Sequence, residues 1–335
     1  MQNIKKTIFL LLFLTLPLFS QGSISGLMFG DFYYVISHHD SLVEGKNGFW
    51  FRRIYFTYDY KFTENVFTRL RFEMNSPGDF KTSGKLIPYV KDAYIGAKFG
   101  KNTGYFGISP TPTWEFIENF WGYRAVEKTP GDLYKAGSSR DFGIALKGEI
   151  LPFISYHFLF GNGEGIKSEI NTYKKEYLSI LFKKEPIFLE IYADYADGKK
   201  KEDTKVYQVF LGLPLEKIIF GFQYYNYDKG QGEGKDRIKI DVFSSFVNLN
   251  VSEKITFLLR VDRMADPNPF IKNVDYIPFS EKNPFYFGLI GVDFKPLKGI
   301  SIIPNFEFVI YEKYKENEAP KNTLIGKLTF SYNWR

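Results

Sequence analysis

From about Ile24 to Trp334, apolar and polar residues alternate one for one in short runs separated by turn residues, and the pattern recurs about sixteen times. In Thr68-Arg69-Leu70-Arg71-Phe72-Glu73-Met74-Asn75, Leu70, Phe72 and Met74 fall on one face and Arg69, Arg71, Glu73 and Asn75 on the other. The last run repeats the device, with Leu328, Phe330, Tyr332 and Trp334 opposite Lys327, Thr329, Ser331 and Asn333. Sixteen such segments, from Ser25 to Ile36 through to Thr323 to Trp334, are mostly near the roughly 9 to 11 residues of a tilted membrane strand. A soluble β-sandwich shares this period, so the alternation alone leaves two architectures open.

The first residues choose between them. Lys5 and Lys6 precede an apolar run from Thr7 to Phe19, followed by the small residues Ser20, Gly22 and Ser23. This is the layout of a secretory signal peptide over residues 1–22, too short to cross a bilayer as a helix. Residues 23–335 are then expected to form one all-β domain, a transmembrane antiparallel β-barrel of about sixteen strands in the outer membrane of a Gram-negative-type bacterium. Composition agrees. Phe and Tyr number 36 and 24, suited to lipid-facing strands and interfacial girdles. Mean hydropathy is nevertheless mildly negative, because only alternate residues of a barrel meet lipid. The chain has no cysteine, hence neither a lipid-attachment site nor disulfides. Net charge is +6, about +4 once Lys5 and Lys6 are removed, a mild excess that argues against nucleic acid as a partner.

Connections alternate in length, as one-sided insertion produces: short links such as Gly100-Lys101-Asn102 and Lys183-Lys184-Glu185-Pro186 interleave with long polar ones. The longest, Pro110 to Gly137, is too rich in aromatic residues for disorder. Trp114, Phe116, Phe120, Trp121, Tyr123 and Tyr134 suit anchoring to a wall, and Glu115, Glu118, Arg124, Glu127, Lys128, Asp132 and Lys135 supply charge. A short helix is expected from Thr113, with Thr113 as its cap and Glu115 and Glu118 in its first turn. Lying in the lumen, this segment would narrow a pore.

The run Gly104-Tyr105-Phe106-Gly107-Ile108-Ser109-Pro110, the long aromatic connection, and then Ser139-Arg140-Asp141-Phe142-Gly143-Ile144-Ala145-Leu146-Lys147-Gly148 resemble the bacterial outer-membrane porins that include phosphate- and polyphosphate-selective channels. The resemblance implies sixteen strands, a homotrimer, and a long segment after the fifth strand folded into the pore. Barrels of this kind usually end on an aromatic residue, whereas here Arg335 follows Trp334. Passive diffusion of small anions or other small polar solutes is the function implied, with outer-membrane lipid around the barrel and no cofactor or metal.

The alternation offers Arg53, Arg69, Arg71, Glu73, Arg237, Lys239, Asp241 and Arg260 as pore-lining residues, together with Lys175, Glu190, Asp194, Asp262, Glu307 and Lys327. A charge at the bilayer midplane costs roughly 2 to 4 kcal/mol, so an inward position is a structural necessity whether or not it sets selectivity. Glu73, Asp241 and Asp262 lie near the cations and would blunt an anion preference by pairing, so phosphate selectivity does not carry over from the resemblance. Three histidines, His38, His39 and His157, are the only bases of their kind. The first two read as an exposed or weakly metal-binding loop pair and the third as structural or pore-lining, so no catalytic residue is assigned. The glycine clusters at 161–165 and 230–235 lack the strand-to-helix setting of a phosphate loop and read as loop tips. A barrel acting through its outer loops, as an anchor or adhesin with a plugged lumen, is the competing reading.

Overall fold

A computed structural model describes residues 21–334. Nearly all of the expected leader lies outside the described residues, and Gly22 is already the first residue of the first strand. Sixteen antiparallel strands close on themselves, each hydrogen-bonded to its sequence neighbours and the first to the last. They are β1 (Gly22–Ser37), β2 (Asn47–Lys61), β3 (Val66–Met74), β4 (Tyr89–Phe99), β5 (Asn102–Pro110), β6 (Arg140–Leu151), β7 (Ile154–Gly161) and β8 (Lys175–Lys184). The remaining eight are β9 (Ile187–Ala196), β10 (Thr204–Pro214), β11 (Ile218–Lys229), β12 (Ile238–Ser252), β13 (Ile255–Met264), β14 (Phe285–Leu297), β15 (Ile300–Tyr311) and β16 (Thr323–Trp334). Closure leaves no unpaired edge, which is what a sheet surrounded by lipid requires.

Period-2 alternation is what places the side chains. In β3, Leu70 faces out while Glu73 is fully buried inside, and in β16 Ile325, Lys327 and Thr329 are buried while Leu328 is exposed. Tyr34, Tyr195, Tyr207 and Tyr286 are exposed on the outward face near the long-loop end, an aromatic level like those that mark a membrane interface.

Register shifts interrupt several of the ladders, and two of them bear on charged residues of the lumen. In the β1–β2 ladder the partners step from Phe29↔Arg53 to Gly30↔Phe51, so Arg52 is the extra residue, and both arginines turn inward. In the β3–β4 ladder Arg71↔Asp92 is followed by Phe72↔Val90, which gives Lys91 and Asp92 the same freedom.

The lumen is far from empty. Two long connections fold into it: residues 111–139, carrying α1 (Glu115–Trp121) and α2 (Pro130–Leu133), and residues 265–284. Ile117, Trp121, Val126, Leu133 and Tyr134 from the first and Ile271, Val274, Tyr276, Ile277 and Phe279 from the second make one apolar cluster with inward residues of β1 and β10–β16. That half of the barrel has a core, and the other half a polar wall.

Candidate channel and its constriction

The neck of the 111–139 loop is closed by Thr111, whose N–H donates to the Ser139 carbonyl at 3.1 Å and whose hydroxyl donates to that of Ser138 at 2.6 Å. Helix α1 follows, with Glu115 and Glu118 in its first turn and Gly122 ending it at φ 73°, a left-handed cap that suits glycine. The expected Thr113 cap does not form: the preceding position is Trp114, and the Thr113 hydroxyl is 3.0 Å from those of Thr111 and Tyr192. Side-chain bonds fasten the loop around the barrel. Gln208 donates to the Thr113 carbonyl, Asn248 to that of Trp121, and Tyr134 to the Asp262 carboxylate at 2.8 Å.

The deepest fastening is ionic. Arg52 meets Glu127 at 2.7 Å and also donates to the Val126 carbonyl; Lys327 lies 3.8 Å from Glu127 and 2.5 Å from Glu307. Arg260 pairs with Asp262 at 2.5 Å and donates to the Lys128 carbonyl. Arg260, expected in the pore wall, is therefore buried under the loop and holds it, because the lumen on that side is packed rather than wet. Glu127 and Lys128 are likewise buried, and burial pushes the Lys128 ammonium down to about 8. Lys135 is exposed at the end of α2 with φ 64°.

Opposite this core lies a cavity of about 850 Å³ bounded by Tyr55, Arg71, Lys91, Glu118, Arg124 and Arg140 among others. Arg69 meets Asp59 at 2.7 Å, Arg53 meets Glu73 at 2.5 Å, Lys91 meets Glu73 at 3.0 Å, and Arg71 meets Asp92 at 3.2 Å. Arg140 also donates to Asp92. The pairing is lopsided in exposure: the side chains of Arg69, Arg71, Lys91 and Arg140 are 29, 23, 17 and 16% exposed, whereas Glu73 and Asp92 are 0% exposed. Solvent in the lumen thus meets Arg71, Lys91 and Arg140 with their carboxylates behind them, whereas Arg69 is paired with Asp59, itself 36% exposed. Across the cavity Arg124 bridges Glu118 at 3.0 Å and Asp132 at 3.2 Å.

A smaller side cavity of about 200 Å³ lies between α1 and the wall, with Glu115, Lys147, His157, Ser179 and Glu190 among its lining. Glu115 is 2.7 Å from Lys147 and 3.4 Å from His157. Burial would raise its carboxyl, but the hydrogen bond from His157 and the charge of Lys147 outweigh it and hold Glu115 down at about 2. The nearby Ser179 hydroxyl donates to Glu190 at 2.6 Å.

Three expected pore residues are elsewhere. Inward positions of β12 are Ile240, Val242, Ser244, Phe246 and Asn248, all buried, so Lys239 and Asp241 face out and Arg237 precedes the strand. Arg237 is clasped by Asp203 at 2.9 Å and Asp228 at 2.5 Å, and Asp241 accepts from Tyr224 and Asn226. They occupy the long-loop end, beyond the outward apolar run Phe243, Val247, Leu249 and Val251, where an outward charge is tolerated. The histidine pair departs from expectation too, since His38 is buried.

No known family model matches the sequence, and no curated protein is similar to it at a significant level. Solved structures do match, over nearly the whole barrel. An anion-selective porin from Comamonas acidovorans has a TM-score of 0.70 at 10% identity, covering 93% of this chain and 99% of that one. Outer-membrane OmpT of Vibrio cholerae gives 0.65 at 11%, covering 93% and 97%. Salmonella typhi OmpF, in complex with daunomycin, gives 0.65 at 8%, with the same coverage. At such identities the likeness establishes the sixteen-strand barrel fold.

Proposed function

We propose that the chain is an outer-membrane porin, a passive channel for small hydrophilic solutes with a preference for anions, exported by a leader over residues 1–22. The observation that carries this reading is the lopsided pairing on β3–β6: partly exposed Arg71, Lys91 and Arg140 in front of fully buried Glu73 and Asp92. A carboxylate behind a guanidinium holds its geometry while leaving the positive face toward the solute, and rings of Arg and Lys are how anion pores build a favourable field. The loop 111–139 supplies the narrowing, so the solute passes between α1 and this wall. The printed description of the Comamonas structure as anion-selective supports the same preference. Glu73 and Asp92 reduce the net field, and the reading asks for preference, not for specificity toward phosphate.

Self-association as a trimer belongs to the same proposal. A Vibrio cholerae OmpT structure described as a trimer form matches with a TM-score of 0.63 at 13% identity, covering 93% of this chain and 99% of that one. The outward face of β4–β6 carries Ala93, Ile95, Ala97, Gly104, Phe106, Ile108 and Ile144 with no charge among them, a surface suited to another barrel. An unboiled refolded sample is expected to migrate as a trimer after crosslinking, and a monomer under all conditions would count against it.

The apolar core filling half of the lumen favours a second reading, a plugged barrel that anchors outer loops. Liposome swelling separates the two. Vesicles containing the refolded chain are expected to swell in isotonic small sugars and small anionic solutes, faster in the latter; vesicles that do not swell while the barrel is folded would favour the anchor.

A further inference from the structure

The long-loop mouth carries a cluster that neither the channel wall nor the constriction loop uses. His38 and His39, just after β1, stack with ring centroids 4.2 Å apart. His38 is 1% exposed, with Nε2 3.2 Å from the Pro278 carbonyl oxygen and Nδ1 accepting the Asp40 N–H at 2.9 Å. A carbonyl only accepts and an amide N–H only donates, so the ring must carry its proton on Nε2 and keep a lone pair on Nδ1. Only the neutral imidazole satisfies both partners; a second proton would set donor against donor at Asp40. His39 Nδ1 is 3.1 Å from the Tyr311 hydroxyl, whose oxygen accepts the Ser280 N–H at 3.2 Å and whose own proton can go to His39. Pro278 and Ser280 belong to the inserted segment 265–284, so the two rings tie that segment to the β1–β2 connection and to β15.

We infer that His38 and His39 are an acid-released latch: neutral, they hold the outer arm of segment 265–284 across the barrel mouth, and protonated they free it. Two stacked cations repel, and each loses the acceptor its partner requires. The charges around them are already committed. Asp40 accepts the Leu42 N–H and lies 3.8 Å from Lys81, and Glu44 is held by Lys321 at 2.6 Å. Lys46 donates to the Phe80 carbonyl, Glu281 on the inserted segment faces Lys272 at 3.9 Å, and Glu312 after β15 takes Arg263 at 2.6 Å. Burial lowers both imidazoles, and with the neighbouring His38 it brings His39 to about 4. Freed rings titrate near 6.5, so the latched state binds fewer protons. For His39, between 6.5 and about 4, each unit of acid favours release by up to about tenfold, and His38 acts in the same direction.

The cysteine-free chain allows a direct test that does not depend on conduction. Leu42→Cys and Lys272→Cys, both 68% exposed, place spin labels on the two sides of the latch in the full refolded barrel. Their distance distribution is expected to be narrow at about pH 7.5, longer and broader at about pH 4, and restored on neutralisation. Adding His38→Gln and His39→Phe is expected to remove the response. An unchanged distribution at about pH 4, or a response that survives both substitutions, would overturn the latch. Should the double variant not refold, His39→Gln alone is expected to cut the ratio of released to latched chains at about pH 4 by about a hundredfold, and an undiminished ratio would overturn it equally.

Discussion

Arg52 and Glu127 are 1% and 0% exposed and 2.7 Å apart, and between them they pin the middle of the constriction loop to β2. At an effective dielectric of about 20 such a contact has a gross attraction of about 6 kcal/mol, most of which offsets desolvation. Removing one partner is another matter, because the survivor stays buried and unpaired at a cost of about 3–5 kcal/mol. Arg52→Ala should lie in that range, since it also removes the donor to the Val126 carbonyl and leaves Asp31 facing Trp50 and Thr329. Glu127→Ala should cost somewhat less, because Lys327 keeps Glu307. The double variant should be less destabilised than the sum by about 2 kcal/mol or more. Urea unfolding of the refolded barrel in detergent, followed by the fluorescence of Trp114 and Trp121 in the loop itself, gives all three numbers. Single substitutions that cost less than about 1 kcal/mol, or strict additivity, would refute the buried pair as the loop's anchor.

Trp121 is fully buried, packs on Phe246 with ring centroids 4.8 Å apart and donates to the Glu127 carbonyl at 3.0 Å, so Trp121→Ala should destabilise the loop by about 3–5 kcal/mol and render it protease-sensitive. Lys128 behaves oppositely: with its ammonium pushed from 10.5 down to about 8, the folded loop binds fewer protons, so stability should rise with pH between those values and Lys128→Met should stabilise by up to about 3 kcal/mol at neutral pH in the same urea titration. Glu115 titrates near 2 in the folded state against 4.5 outside it, so its support for α1 should be complete above about 4.5 and fade as pH falls toward 2, a loss that Glu115→Gln should abolish in an acid titration of loop fluorescence. Arg237→Ala with Lys239→Ala should leave ion selectivity unchanged in bilayer recordings, because both side chains lie outside the lumen.

Most of the barrel is legible in the sequence because the side-chain period of a strand is two and lipid tolerates no charge on one of the two faces. β3 and β16 show this cleanly, each with one face free of charge. β12 does not: its two faces read Lys239, Asp241, Phe243, Val247 and Ile240, Val242, Ser244, Phe246, so charge alone pointed the wrong way. What decided the matter is the apolar core that the inserted loops build against that wall, a tertiary fact. The bulges at Arg52 and Lys91 are equally silent in a period-2 reading, which would send Arg52 to lipid. Two consecutive arginines in a membrane strand were the one available hint. The anchoring aromatics of the 111–139 loop were readable from composition, whereas the insertion of 265–284 was not, since its Ile271, Val274, Ile277 and Phe279 follow no strand or helix period. Arg140 reads as part of a motif, and only the β4–β6 geometry brings it to Asp92 beside Arg71.

The proposed anion preference rests on partly exposed cations backed by buried carboxylates in an open channel. Its most direct test is the reversal potential of single refolded barrels in a planar bilayer under a salt gradient, compared with a chain carrying Arg71→Ala, Lys91→Ala and Arg140→Ala. Open steps with an anion-directed reversal potential that moves toward zero or to the cation side in the triple variant are the predicted result. A cation-directed potential in the native chain, one indifferent to the three substitutions, or the absence of any conductance from folded barrels would contradict it.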